Sequence, residues 1–377
     1  MINGLRVKQA REIRKLTQME LASRIGVHQS VIGKMETAVR EWSDNIIQSA
    51  ALVLGFSVSF FSQGIGPEFP LGSLLFRCRA DLPANEKARI RQLALIEYEI
   101  CEKLAVGTRP IQLNFPQFNN TDPIEAARVT RATLGLSPDA PIPHLVNKLE
   151  KNGVFVLAVP DAPEGFEAFS LWSDSDPRRP VVVINPDKPT DRLRLSCAHE
   201  IGHLVLHRSP RGDLMEMEKD AYAFSSEFLM PEEAMLLEIR TPVSLSDLAR
   251  LKPRWGVSIQ ALIRRAHNLE LLTERQYRYF FEQISKMGWR KREPPEFDIK
   301  PEMPRLLSKL AEIAYGVPAN PRKVAELVSI PIGLAEQILI VHAQKTDMPR
   351  RPEPVDDIES DAKPLNNLVR FTRKKAN

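Results

Sequence analysis

The chain has 377 residues, 43% of them hydrophobic and 27% charged, with a formal net charge of +4. That length suggests two or three domains, and the modest positive balance suits nucleic acid without proving it. No apolar run approaches the ~20 residues that span a bilayer, no secretory signal precedes the first charged helix, and the three scattered cysteines (Cys78, Cys101, Cys197) suit a reducing compartment, so a cytoplasmic protein is expected.

Residues 5–15 read as a basic helix. Thr17 follows as an N-cap, and Glu20 completes a capping box for a helix over 18–25. Gly26 closes that helix, and a third is expected over 28–36. Two helices joined by a short glycine-containing turn make a helix-turn-helix. The string T-Q-x-E-L-A-x-x-I-G-V-x-x-S-x-I-x-x-x-E, from Thr17 to Glu36, resembles the Cro/C1 class (also called XRE) of DNA-binding domains. In that class the third helix enters the major groove and presents its first residues to base edges. The resemblance implies that Gln29 and Ser30 read bases in double-stranded DNA, that Lys34 reaches a base or a phosphate, and that Gln18 contacts the backbone. Arg11, Arg14, Lys15 and Arg40 are further phosphate candidates. A homodimer on two half-sites is implied as well. The sequence departs from the class after Glu36, where Thr37-Ala38 stand in place of a usual glycine.

Beyond a linker at 63–67, residues 83–108 read as a long helix with basic and apolar faces, best taken as a connector or a dimerisation helix. Residues 110–122 are polar and irregular. Short helices are expected at 123–136 and 142–152, then a buried strand at 154–159. Segments 166–172 and 181–184 read as a hairpin around residues 173–177. An exposed edge of that sheet would accept a peptide as an added strand.

Residues 199–203 read His-Glu-Ile-Gly-His. On a helix, His199 and His203 lie one turn apart on one face, about 6 Å along the axis. They are placed to hold one metal ion, with Glu200 close enough to take a proton from a water on it. Leu195, Ala198, Ile201, Leu204 and Val205 give this helix its apolar stripe. Gly202 interrupts the stripe at a cost of about 1 kcal/mol relative to alanine, and leaves room for something to approach closely. Catalytic zinc normally takes three protein ligands and water. His207 is too far along the same helix, about 12 Å from His199. A second helix, over 218–230 and ended by Pro231, offers Glu218 near the start of its buried face. Glu216, Asp220 and Glu227 compete, and spacing does not exclude Asp220. Cys197 reads as a packed thiol.

The string from Ala198 to Leu204, followed by Glu218-x-Asp220-Ala221, Phe224 and Leu229-Met230-Pro231, resembles the ImmA/IrrE metallopeptidases. Their pattern is A-H-E-x-x-H, then E-x-E-A-x-x-F-A-x-x-L-L-M-P. The resemblance covers residues 120–290 and implies His199, His203 and Glu218 as zinc ligands, with manganese the alternative metal, and Glu200 as general acid/base. It also implies a repressor or other regulatory protein as substrate. Asp220, Ser225-Ser226 and Phe228 depart from the pattern without touching a proposed ligand.

Further on, Trp255, Leu262 and Ile263 are expected to pack the core, with Arg264 and Arg265 on a solvated face. Residues 294–304 are proline-rich, and 305–345 look like a small helical bundle. The expected fold class is α+β, mostly helical: a helix-turn-helix domain (1–62), a helical linker (63–119), a zincin-like peptidase domain with a small mixed sheet (120–292), a C-terminal helical region (293–347) and a disordered tail (348–377). The expected function is a DNA-binding transcriptional regulator whose zinc metallopeptidase domain cleaves a repressor. The rivals are a non-proteolytic transcription factor that senses a metal, ligand or partner, and an antitoxin-like regulator.

Overall fold

The computed structural model describes residues 2–64, 66, 69, 75–78, 82–106, 108, 112–118, 121–207 and 213–343. The expected linker at 63–67 falls partly outside them, and the tail from 348 wholly so. The chain is mostly helical, with one four-stranded sheet among the described residues. It divides into two units, and neither is one continuous stretch. The first contains Met1–Asn114, Val146–Asp187 and Met303–Gln344; the second contains Phe115–Leu145 and Lys188–Glu302.

The first unit begins with five helices: α1 (Gly4–Ile13), α2 (Gln18–Ile25), α3 (Gln29–Glu36), α4 (Asp44–Leu54) and α5 (Val58–Phe61). Local chemistry sets their limits. Thr17 and Glu20 form the capping box at the start of α2, whose end is Gly26, and the His28 side chain caps α3. Val7, Ala10, Leu21, Ile32, Ile47, Ala50, Leu54, Phe60 and Phe61 fill the core. Gly4 has to be glycine, because a Cβ there would lie 2.2 Å from the Met35 carbonyl oxygen. The turn after α3 does need a left-handed residue: Ala38 takes it, at φ +58°, a conformation that L residues other than Asn and Asp rarely adopt.

β1 (Leu75–Cys78) precedes α6 (Ala84–Ala105). The second unit contributes α7 (Pro123–Thr133), and the chain returns to the first with α8 (Leu145–Lys151) and strands β2 (Phe155–Ala158), β3 (Phe166–Trp172) and β4 (Pro180–Ile184). The sheet order is β1-β3-β4-β2. β3 and β4 form the antiparallel hairpin, and β2 runs parallel to β4. Every residue of β2 and β4 is buried, which explains their unbroken apolar runs.

The connector expected at 83–108 is instead the centre of this unit. Ile90, Leu93, Ala94, Ile96, Tyr98, Ile100, Cys101 and Leu104 of α6 are all buried, and the helix packs against α1 and β2. Its charged residues misled because their partners are internal. Glu99 pairs with Arg6 at 2.8 Å, and Gln92 donates to Glu12 at 2.6 Å. The Glu97 carboxyl and the His342 imidazole are both fully buried and stand 3.6 Å apart.

The second unit resumes with α9 (Thr190–Leu206), α10 (Leu214–Leu229), α11 (Glu232–Glu238), α12 (Leu245–Trp255), α13 (Ile259–Asn268) and α14 (Glu274–Lys286). Trp255, Leu262 and Ile263 are completely buried in it. Arg265 is buried too, rather than solvated as expected: it pairs with the buried Glu227. Lys252 donates to Asp191 at 2.7 Å and to Glu293 at 2.8 Å. Arg194 holds the carbonyls of Ile142 and Gly256 together with Glu302. Each of these three cations thus has an opposite charge or carbonyl against it, the condition for tolerating it in a dry interior.

The C-terminal helices α15 (Leu306–Tyr315), α16 (Pro321–Val328) and α17 (Ile332–Val341) return to the first unit, where α15 and α16 pack on α6. Glu150 of α8 accepts the Arg305 and Leu306 N–H groups at the start of α15, and burial pushes its carboxyl up to about 7. No single helix among the described residues is long and apolar enough to cross a membrane.

Burial raises the Glu97 carboxyl well above its ordinary range and lowers His342 to about 4. The two act in opposite directions on stability. Glu97, an acid with a raised folded-state pKa, contributes most below its unfolded pKa, and that contribution fades as pH rises. His342, a base with a lowered one, contributes fully above its unfolded pKa and loses that as pH falls toward 4. Glu97→Gln removes only the first effect. The variant is therefore expected to melt higher than wild type at pH 8, by about 2–4 °C per kcal/mol recovered, with the gap narrowing toward pH 5. Thermal melts across that range check it.

Candidate metal centre and nucleic-acid interface

The central feature of the second unit is the crossing of α9 and α10. Gly202 faces α10 so closely that an added Cβ would lie 3.2 Å from Ala221 Cα and 3.1 Å from the Phe224 ring. Phe224 and Phe228, stacked at 5.5 Å between ring centroids, are buried on α10. The crossing carries Glu218, one turn before Tyr222, over the Nε2 ends of two buried imidazoles.

His199 and His203 turn their Nε2 atoms to one point, 3.0 Å apart. Glu218 faces both: one carboxylate oxygen is 3.4 Å from His199 Nε2 and the other 3.2 Å from His203 Nε2. Donors about 2.0–2.1 Å from a tetrahedral zinc ion would stand about 3.3 Å from one another. These separations have that size. Two imidazoles and a carboxylate are also a donor set that zinc accepts, and manganese with less preference. The residues therefore fit a divalent cation. The imidazoles are buried and Glu218 is 46% exposed, so the centre opens to solvent on the carboxylate side. Hydrogen bonding to His199 and His203 holds the Glu218 carboxyl far below the usual carboxylate range.

Glu200 is completely buried on α9, next to His199. The competing carboxylates go elsewhere. Glu227 is bound by Arg265 and Arg128, Glu216 is exposed, and Asp220 faces His207 at 3.8 Å. The sequence reading missed Tyr222. Its ring meets that of His199 edge-on at 4.5 Å between centroids, and it is 45% exposed beside the centre. The available signal was its place one turn after Glu218.

In the first unit, α3 exposes Gln29, Ser30 and Lys34 on one surface. Gln18 is half-buried behind them. Its amide nitrogen donates to Glu36 at 2.8 Å, and its oxygen accepts from Gln29 at 2.7 Å. Glu36 is in turn held by two hydrogen bonds from Arg11, at 2.6 and 2.9 Å. Arg11 was expected at a phosphate, but it is buried in this pair and unavailable. Arg14 is exposed, donates to the Leu54 carbonyl and lies 5.3 Å over the Phe56 ring. Lys15 pairs with Glu86 at 2.5 Å, whereas Arg40 is exposed.

Two family models match the chain. Residues 7–61 match a helix-turn-helix, and residues 149–267 match an IrrE N-terminal-like domain from a peptidase family. The chain is thus a fusion of a DNA-binding domain with an IrrE-like domain, as the two sequence motifs implied. The second match runs from the end of α8 through β2–β4 in the first unit and α9–α13 in the second. A comparison with curated proteins finds no match.

The close approach at Gly202 makes a prediction. Gly202→Val overfills the crossing, at about 1–3 kcal/mol of stability, and moves Glu218 off the imidazoles. Zinc affinity, measured against a competing chelator, is expected to fall at least about tenfold, in line with the cost of misplaced ligand support.

Proposed function

We propose that this fusion of a DNA-binding helix-turn-helix with an IrrE-like domain is a transcriptional regulator that also cleaves a regulatory protein, in the first place a repressor. The observation that carries the reading is the meeting of His199, His203 and Glu218 beside the buried Glu200. His199, His203 and Glu218 would hold zinc, or manganese in its place. Bound there, the ion would supply a Lewis acid that polarises the scissile carbonyl and makes water a better nucleophile at neutral pH.

Glu200 acts as general base and then as general acid. It accepts the proton of the attacking water as the oxygen adds to the carbonyl carbon. It then delivers that proton to the amide nitrogen, which leaves as the amine when the C–N bond breaks. Glu200 is buried beside His199 in the sequence of α9, while the half-exposed Glu218 and Tyr222 leave the centre open to a peptide. Gln29, Ser30 and Lys34 read the operator, with Gln18 bracing Gln29 from behind. The protein works in the cytoplasm, where DNA is present and buried thiols such as Cys101 and Cys197 stay reduced.

The decisive variant is Glu200→Gln. It is expected to keep zinc and operator affinity and to lose repressor cleavage by about 10²–10⁴-fold, the usual range for a general acid/base. Cleavage is read on gels of purified repressor with zinc or manganese added. A repressor left intact by both proteins at full metal occupancy overturns the proteolytic reading in favour of a metal or ligand sensor.

The DNA-reading assignment has its own test. Gln29→Ala is expected to weaken binding to a selected operator by about 1–3 kcal/mol and to relax specificity at one position. Lys34→Ala should weaken binding to all sequences alike if it meets a phosphate, lowering the salt slope by about one. Fluorescence anisotropy across a salt series separates the two.

A further inference from the structure

His207 and Asp220 stand outside the three converging donors, yet they back directly onto one of them. His203 directs Nε2 to the donor cluster, 3.2 Å from Glu218. Its other ring nitrogen, Nδ1, lies 3.1 Å from His207 Nδ1. On the far side of the His207 ring, Nε2 is 3.8 Å from Asp220 Oδ2. His207 closes α9, its N–H donating to the His203 carbonyl at 2.9 Å, and is largely buried. Asp220 comes from α10, two residues after Glu218. The crossing that delivers the third donor thus also delivers this carboxylate.

Proton placement follows from imidazole chemistry. A neutral imidazole carries one N–H and one lone pair. If Nε2 of His203 gives its lone pair to a cation, its proton sits on Nδ1 and needs an acceptor. The atom in reach is His207 Nδ1. To accept there, His207 must carry its own proton on Nε2, the nitrogen that faces Asp220. The three side chains are consistent only in this arrangement.

We infer that His207 is a positioning residue for the metal centre: it accepts the Nδ1 proton of His203 and fixes that ring, while the Asp220 charge, 3.8 Å from Nε2, favours the required tautomer of His207. The inference rests on the metal-centre part of the function proposed above and is independent of peptide hydrolysis. Partners of this kind orient a ligating imidazole and raise its basicity, and losing one commonly costs 10–100-fold in metal affinity.

The test uses the full-length protein, with zinc as the probe and a chromophoric chelator as competitor. His207→Ala is expected to weaken zinc binding about 10–100-fold while circular dichroism and the urea midpoint stay near wild type. His207→Asn places an amide oxygen near the position of the lost Nδ1 and should recover most of the affinity. Asp220→Asn should cost less than His207→Ala, and the double variant His207→Ala, Asp220→Asn should cost no more than His207→Ala alone. In zinc-loaded protein with 15N-labelled histidine, the His203 Nδ1–H should appear as a hydrogen-bonded resonance that His207→Ala removes. Unchanged zinc affinity in folded His207→Ala overturns the inference and leaves the metal centre intact. If His207→Ala does not fold, a folded His207→Asn with affinity reduced 10-fold or more overturns it. No zinc binding by wild type overturns the metal centre, and this inference with it.

Discussion

The structure depends above all on the closeness of α9 and α10 at Gly202. A residue without a side chain lets the Ala221 backbone and the Phe224 ring press against α9. Glycine in a helix interior costs about 1 kcal/mol relative to alanine, and here that cost has an identifiable return. His199 and His203 are fixed relative to each other by helix geometry alone. Glu218 can meet them only if the second helix comes this near. The same approach sets Tyr222 against His199 and Asp220 against His207. One missing methyl group therefore underlies four side-chain relationships at the centre.

Each unit also relies on buried charge. In the first, Arg6 and Glu99 link α1 to α6, and Arg11 and Glu36 link α1 to α3. In the second, Lys252 stands between Asp191 and Glu293, and Arg265 meets Glu227. Such pairs add little net stability over apolar packing, but losing one partner is costly because the other charge is left in a dry interior. They fix which surfaces of neighbouring helices face each other. At the helix-turn-helix the chain of bonds from Arg11 through Glu36 and Gln18 ends at Gln29, at the start of α3. A residue class usually assigned to phosphate contact here supports from inside a side chain proposed to read bases.

What could be read from the sequence was local. Caps, turns and one-turn spacings involve residues within four positions of one another. The capping box at Thr17 and Glu20 and the helix carrying His199 and His203 were legible for that reason, and the hairpin of β3 and β4 because its two strands are neighbours along the chain. The motif pattern then pointed to Glu218, which spacing alone had left in competition with Glu216, Asp220 and Glu227. The sequence also marked Gly202 as a place of close approach, without saying what approaches.

Tertiary structure decided where the charges went. α6 reads as an exposed connector because it is rich in Arg, Glu and Lys, and its partners Arg6, Glu12 and His342 lie 80 or more positions away from it. Arg11 and Arg265 read as surface residues for the same cause. Periodicity records how polar a helix face is. It carries no information about whether that polarity meets water or an opposite charge from a distant segment. Local geometry therefore fixed the helices and their apolar faces, and long-range pairing determined which of their polar faces became interior.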